Sequence, residues 1–134
     1  MTVSDDIEAM LKLQTVAVLG CSPRSDRPSH QIAAYLMDAG YRVIPVNPGC
    51  SEILGETCYP DLASVPDDID VVDVFRRAEF LRDAAAQAVA KGAKGLWLQD
   101  GLRDPAAEAL ARKAGLAFVA DDCIMRQHLS RFGR

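Results

Sequence analysis

The stretch that decides the fold is TVAVLGCSPRSDRPSHQIAAYLMDAGYRVIPVNP, Thr15 to Pro48. Thr15 to Leu19 is a continuous apolar run ended by Gly20, the pattern of a strand buried on both faces. A polar loop follows, Cys21 to Pro28. Ser29 can then cap a helix running to about Ala39, in which Ile32, Ala33, Leu36 and Met37 recur at helical spacing and Gly40 is placed to end it. Tyr41 to Val46 reads as a second strand stopped by Asn47-Pro48, although Pro45 inside it is awkward for a central strand. Strand, helix, strand in this order is one parallel unit with a right-handed crossover.

The pattern repeats beyond it. Gly49 to Pro66 reads as loop, with one helical turn at Asp61 to Ser64. Asp70 to Phe75 is a third strand, Ala78 to Lys91 a helix with Leu81, Ala84, Ala85 and Ala88 on one face, and Gly95 to Gln99 a fourth strand. Asp104-Pro105 opens another helix, with Asp as cap and Pro in the first turn. Leu116 to Ala120 is a fifth strand, and Cys123 to Phe132 a last helix. Upstream, residues 4 to 13 form a short helix capped by Ser4, with Asp5 and Asp6 in its first turn. The expected fold is α/β: a Rossmann-like, doubly wound, parallel five-stranded sheet with helices on both faces, as a single domain over residues 1–134.

Composition sets bounds on partners. The chain has 134 residues, 49% hydrophobic and 25% charged, an ordinary globular balance. Fifteen basic against nineteen acidic side chains give a net charge of -4, which argues against a nucleic-acid partner. No apolar run is long enough to span a bilayer, and Asp5 and Asp6 stand where a secretory signal would be basic, so a cytoplasmic protein is expected. Cys21, Cys50, Cys58 and Cys123 match no zinc spacing. They read as reduced thiols, with a Cys50–Cys58 disulfide left open.

In an open parallel sheet, ligands bind outside the carboxyl ends of the strands. The residues to inspect are those just after each strand: Gly20 to Arg27, Asn47-Pro48, Arg76-Arg77, Gln99 to Gly101 and Asp121 to Cys123. A glycine after the first strand, a polar loop and a helix N-terminus form a phosphate-binding arrangement. Arg24 and Arg27 add pairing charge, and His30 near the cap can donate to a phosphate. The loop is G-C-S-P-R-S, not G-x-G-x-x-G; Ser22 occupies the place of the second glycine. After the second strand no carboxylate is present to grip ribose hydroxyls, as NAD binders require. A ribose carrying a phosphate fits better, which leaves coenzyme A and NADP. Two arginines after the third strand suit an anion, and Gln99 can hydrogen-bond a ligand amide.

At these positions the chain resembles the CoA-binding-domain family of small bacterial proteins, related to the N-terminal CoA-binding domain of the succinyl-CoA synthetase alpha subunit. The resemblance is carried by Val16 to Pro48, ILGETCYPDLASVP (Ile53 to Pro66), DIDVVDVFRR (Asp68 to Arg77) and KGAKGLWLQDG (Lys91 to Gly101), and covers Thr15 to His128. It implies a loop of Gly20, Cys21 and Ser22 against the CoA diphosphate, with Arg24 or nearby basic residues on phosphates. It implies Asn47 and Pro48 beside the adenosine, Phe75 and Arg76 beside the ligand, and Gln99 near the pantetheine. The family commonly has Gly-Ala-Ser where this chain has Gly-Cys-Ser. That raises a mixed disulfide between Cys21 and the CoA thiol, although the thiol lies at the far end of a long ligand from the diphosphate. Near the C-terminus the family often reads D-R-C and then Glu-His; here Asp122 replaces the Arg and Gln127 the Glu.

An enzyme needs a positioned acid, base, nucleophile or metal. His128 reads as a surface or packing residue rather than a base, Cys123 has no evident partner, the Asp67-Asp68-Asp70 run reads as solvated, and no metal set is found. The phosphorylated histidine of the synthetase lies in a second domain with no counterpart here. The expectation is a stand-alone, non-catalytic module for coenzyme A or acyl-CoA, partnered by itself as a homodimer or by an acyl-CoA enzyme. The alternative is an NADP-dependent oxidoreductase-type domain. A receiver-type signalling domain fails for want of acids after the first and third strands.

Overall fold

The computed structural model describes residues 2–133. Five parallel strands form the main sheet: β1 (Thr15–Leu19), β2 (Arg42–Val46), β5 (Val71–Val74), β6 (Gly95–Leu98) and β7 (Ala117–Val119), in the order β2-β1-β5-β6-β7. The chain runs outward from β1 to β2, then returns across β1 to β5. The strand order therefore reverses between β1 and β5. The expected Rossmann-like α/β architecture is what the chain adopts.

Successive strand residues point to opposite faces, and the two faces carry two cores. On one, Ala17, Leu19, Val72, Val74, Leu96 and Leu98 pack against α3 (Leu81–Lys91) and α4 (Pro105–Lys113). On the other, Val16, Val18, Val43, Val71, Trp97 and Val119 pack against α1 (Val3–Leu11), α2 (Pro28–Asp38) and α5 (Ile124–Phe132). Gly95 permits the second packing, because a Cβ there would sit 2.4 Å from the Met10 sulfur.

Several expectations shift. Pro45 does lie in a strand, and β2 is an edge strand, so its missing N–H interrupts no second ladder. Helix α1 is capped by Thr2 rather than Ser4, through a capping box in which Thr2 Oγ1 accepts from Asp5 N–H and the Asp5 carboxylate accepts from Thr2 N–H. Helix α2 begins two residues earlier than the sequence suggests: Arg27 is its N-cap and Pro28 opens it, while Ser29 lies inside. Asp104 caps α4 as expected, accepting from Ala106 and Ala107 N–H. The stretch read as loop contains a hairpin, β3 (Glu52–Ile53) and β4 (Glu56–Thr57), turned by Leu54 and Gly55, both at positive φ. A single 3-10 turn, Ala78–Phe80, precedes α3.

The acidic residues are less solvated than the sequence suggests. Asp70 accepts from Gln14 and Thr15 N–H at 3.1 and 3.0 Å, joining the start of β1 to the start of β5. Burial raises its pKa, but these bonds and Lys94 outweigh it and hold the carboxyl below the usual range. Asp67 pairs with Arg42. Asp6 is 2% exposed, pairs with Arg112 and accepts from Phe118 N–H, so it ties α1 to α4 and β7.

Candidate ligand cleft

At the carboxyl ends of β1, β5 and β6 the surface opens into two adjoining cavities. One, about 340 Å³, is lined by Gly20, Ser22, Arg27, Pro28, Ser29 and Phe75. The second, about 480 Å³, is lined by Pro28, Ile32, Phe75, Arg76, Arg77, Gln99, Asp100, Leu102 and Cys123. Pro28 and Phe75 stand in both walls. The first is polar and cationic; the second is mainly apolar, with charge at its rim.

Gly20 has φ +91, and a Cβ there would lie 2.1 Å from the Phe75 carbonyl oxygen. Its role is the close approach of the loop after β1 to the end of β5. Its N–H and that of Cys21 both donate to the Val46 carbonyl, at 2.9 and 3.2 Å. The Ser22 N–H donates to Ser29 Oγ at 2.9 Å. The first three loop amides are therefore engaged inside the protein. In the first turn of α2, His30 and Gln31 N–H fold back onto the Arg27 carbonyl, which leaves the Ser29 N–H as the first-turn donor. Ser22, Arg27 and Ser29 are the residues with polar or charged side chains that line this cavity.

The other predicted residues divide. Phe75, Arg76 and Gln99 line the cleft, and the Arg76 guanidinium lies 5.1 Å over the Phe80 ring. Cys21, Arg24, His30, Asn47, Pro48 and Gly101 line neither cavity. Arg24 is exposed and pairs with Asp26. His30 Nδ1 lies 3.0 Å from the Ser22 carbonyl; the carbonyl can only accept, so Nδ1 carries the proton. Asn47 uses both ends of its amide, donating to the Cys21 carbonyl and accepting from Gly49 N–H, each at 2.8 Å. It joins the loops after β1 and β2. Gly101 N–H donates to Asp121 Oδ1.

Cys21 is fully buried, and burial pushes its thiol up to about 12. This argues against the mixed disulfide that the cysteine at that position raises. All four cysteines are free in the structure, Cys50 and Cys58 among them. Gln99 is 5% exposed, and its Oε1 accepts from Ile124 N–H at 3.2 Å. Asp100 faces Arg126 through two bonds of 3.0 and 2.8 Å, and these hold its carboxyl below the usual range. His128 packs among Tyr35, Tyr41 and Phe132, as read.

Sequence reasoning missed Pro28, Ile32 and Leu102 in the walls and took Ser29 for a cap. A signal existed: the first turn of a helix that follows the first strand must face the carboxyl edge. It also missed Asp73, which is wholly buried in β5 between Val18 and Trp97, with no hydrogen-bond partner on either oxygen. Burial holds its carboxyl well above the usual range. Among the described residues no cluster of His, Cys, Asp or Glu can hold a metal ion, and no helix is long and apolar enough to cross a membrane.

The sheet order and the cleft at its reversal point define a small Rossmann-like domain, with its cleft where open parallel sheets take their ligands. Residues 14–128 match the model of the CoA binding domain family. The chain belongs to that family. It is 36% identical over 121 residues to the uncharacterized protein YneT of Bacillus subtilis, covering 90% of each chain. It is 30% identical over 92 residues to acetate–CoA ligase [ADP-forming] II of Archaeoglobus fulgidus, a match that covers 67% of this chain but 14% of the ligase. A solved structure of a hypothetical protein from Pyrococcus horikoshii OT3 superposes with a TM-score of 0.91 at 38% identity, covering 97% of this chain and 92% of that one.

Proposed function

We propose that this domain binds coenzyme A, free or acylated, as a stand-alone module that catalyses no turnover of it. The observation that supports this most is the joined cleft: an anion-accepting end at Ser22, Arg27 and Ser29 that continues past Pro28 and Phe75 into an apolar end at Ile32, Leu102 and Gln99. A dinucleotide is polar at both ends, whereas CoA joins a diphosphate to a long, weakly polar arm. In this reading the diphosphate lies against Arg27 and the α2 N-terminus, and the arm runs along Phe75 toward Gln99. The relative named as an acetate–CoA ligase supports the choice of ligand. Nothing after β2 favours the nicotinamide alternative, since Asn47 is engaged with the protein and no carboxylate stands there.

The test is calorimetric titration of the reduced protein with CoA, acetyl-CoA, NADPH and NADH in parallel. CoA species bind and the nicotinamide dinucleotides do not. Arg27→Ala weakens CoA binding roughly 10- to 100-fold, the effect of removing a charge-assisted hydrogen bond worth about 1.5–3 kcal/mol. Binding of NADPH without CoA would overturn the reading.

A further inference from the structure

We propose that Cys123 captures coenzyme A covalently, forming a mixed disulfide with the CoA sulfur by exchange with a CoA disulfide. The inference rests on the reading of the cleft as a CoA site. Cys123 is 6% exposed and stands in the wall of the apolar cavity, at the N-cap of α5. It is the one cysteine, among the described residues, that lines either part of the cleft. Cys21 and Cys58 are buried elsewhere, their thiols pushed up by that burial, and Cys50, the most exposed of the four, lines neither cavity.

Gln99 supplies an independent sign of what fills the space beside Cys123. Gln99 is 5% exposed and stands in the same wall. The Ile124 N–H, on the residue after Cys123, donates to Oε1 and thereby fixes which way the amide points. That bond leaves Nε2, which has no hydrogen-bond partner among the described residues, as a donor aimed at the cavity. A donor in an apolar wall calls for a carbonyl. The pantetheine arm has an amide carbonyl a few bonds from its sulfur, so a carbonyl on Gln99 brings that sulfur to the Cys123 side of the cavity.

The step balances as thiol–disulfide exchange. Cys123 releases its proton to water, and its sulfur attacks one sulfur of the CoA disulfide. A new S–S bond joins Cys123 to one CoA. The old S–S bond breaks, and the second CoA leaves as a thiolate that takes up a proton. Cys123 is oxidised and the departing CoA is reduced. Binding in the cleft holds the two sulfurs together and raises their effective concentration.

The experiment incubates the reduced full chain with CoA disulfide or with glutathione disulfide, follows intact mass without reductant, and maps the modified peptide. The expected product carries one CoA less two hydrogens, on Cys123, and is reversed by dithiothreitol. It forms at least 10-fold faster from CoA disulfide than from glutathione disulfide, persists in Cys50→Ser and is lost in Cys123→Ser. Mapping of the unsubstituted chain locates the sulfur even where a variant folds poorly. An adduct on Cys50, equal rates with the two disulfides, or no adduct while CoA still binds by calorimetry overturns the proposal. Loss of calorimetric CoA binding itself is a separate result, and it removes the reading beneath.

Discussion

Substitution of Gly20 by alanine tests the closest approach in the cleft. Two penalties follow from the structure. At φ +91 an L side chain is strained, which costs about 1–2 kcal/mol. The new Cβ would also stand 2.1 Å from the Phe75 carbonyl oxygen and 3.0 Å from its carbon, and these are backbone atoms that a rotamer change cannot clear. The loop after β1 would have to lift off β5, at the cost of about 1–3 kcal/mol typical of overpacking. Together the loss is roughly 2–5 kcal/mol. Gly40 is the control: its φ is +102, yet nothing lies within 4 Å of a Cβ there, so Gly40→Ala carries the conformational penalty alone. Urea denaturation of the three proteins at one pH reads both effects, and thermal melting shows the Tm of Gly20→Ala lowered by roughly 7–18 °C. If Gly20→Ala loses no more stability than Gly40→Ala, the packing of the loop on Phe75 is wrong. If the difference holds, alanine at Gly20 is a folding variant first, and Arg27→Ala is the cleaner probe of ligand binding.

Asp73 predicts an inverted pH dependence. Its folded pKa is raised, so the native protein keeps a proton that the unfolded chain releases above about pH 4. Stability from this site therefore falls as pH rises, by about 1.4 kcal/mol per pH unit until the folded value is passed. Asp73→Asn lacks that slope, so the variant gains on the parent between pH 5 and pH 7 in urea titrations; parallel curves would refute a neutral buried carboxyl. Asn47→Ala strips partners from the Cys21 carbonyl and the Gly49 N–H and loses about 1–3 kcal/mol by the same assay; a loss below about 0.5 kcal/mol, the size of an ordinary surface change, sinks the bridging role. A small aromatic disulfide reagent modifies Cys50 first and Cys21 last in the native protein; early modification of Cys21 contradicts its burial.

The fold was legible where pattern and punctuation agree. Thr15 to Gly20 has no polar residue after Thr15, and Asp104-Pro105 is a start signal that depends on local chemistry alone, so both were read correctly. Pro45 looked like a contradiction because sequence does not show which strand is the edge. The β3–β4 hairpin was hidden because Leu54, at φ 55, gives none of the Asn-Gly or Asp-Gly cues of a tight turn. In the cleft, the position of Gly20 was legible but not its hydrogen bonds. The amides of Gly20 and Cys21 look free in sequence and become engaged because the end of β2 lies beside them. The Asn47 amide likewise looks free in sequence and is engaged at both ends by the loops beside it. Asp73 sits in an apolar run whose spacing places it inside, and only the packed sheet reveals that nothing there answers it.

The loop after β1 is held at several points by the protein itself: Gly20 and Cys21 on Val46, Ser22 on Ser29, His30 on Ser22, and Asn47 on Cys21. Such a loop is preorganised. A ligand arriving there has no segment to order, so little conformational entropy is lost on binding and the backbone should move by less than about 1 Å between free and bound forms. Weakening a phosphate contact should then shorten the residence time of the complex while leaving its rate of formation nearly unchanged.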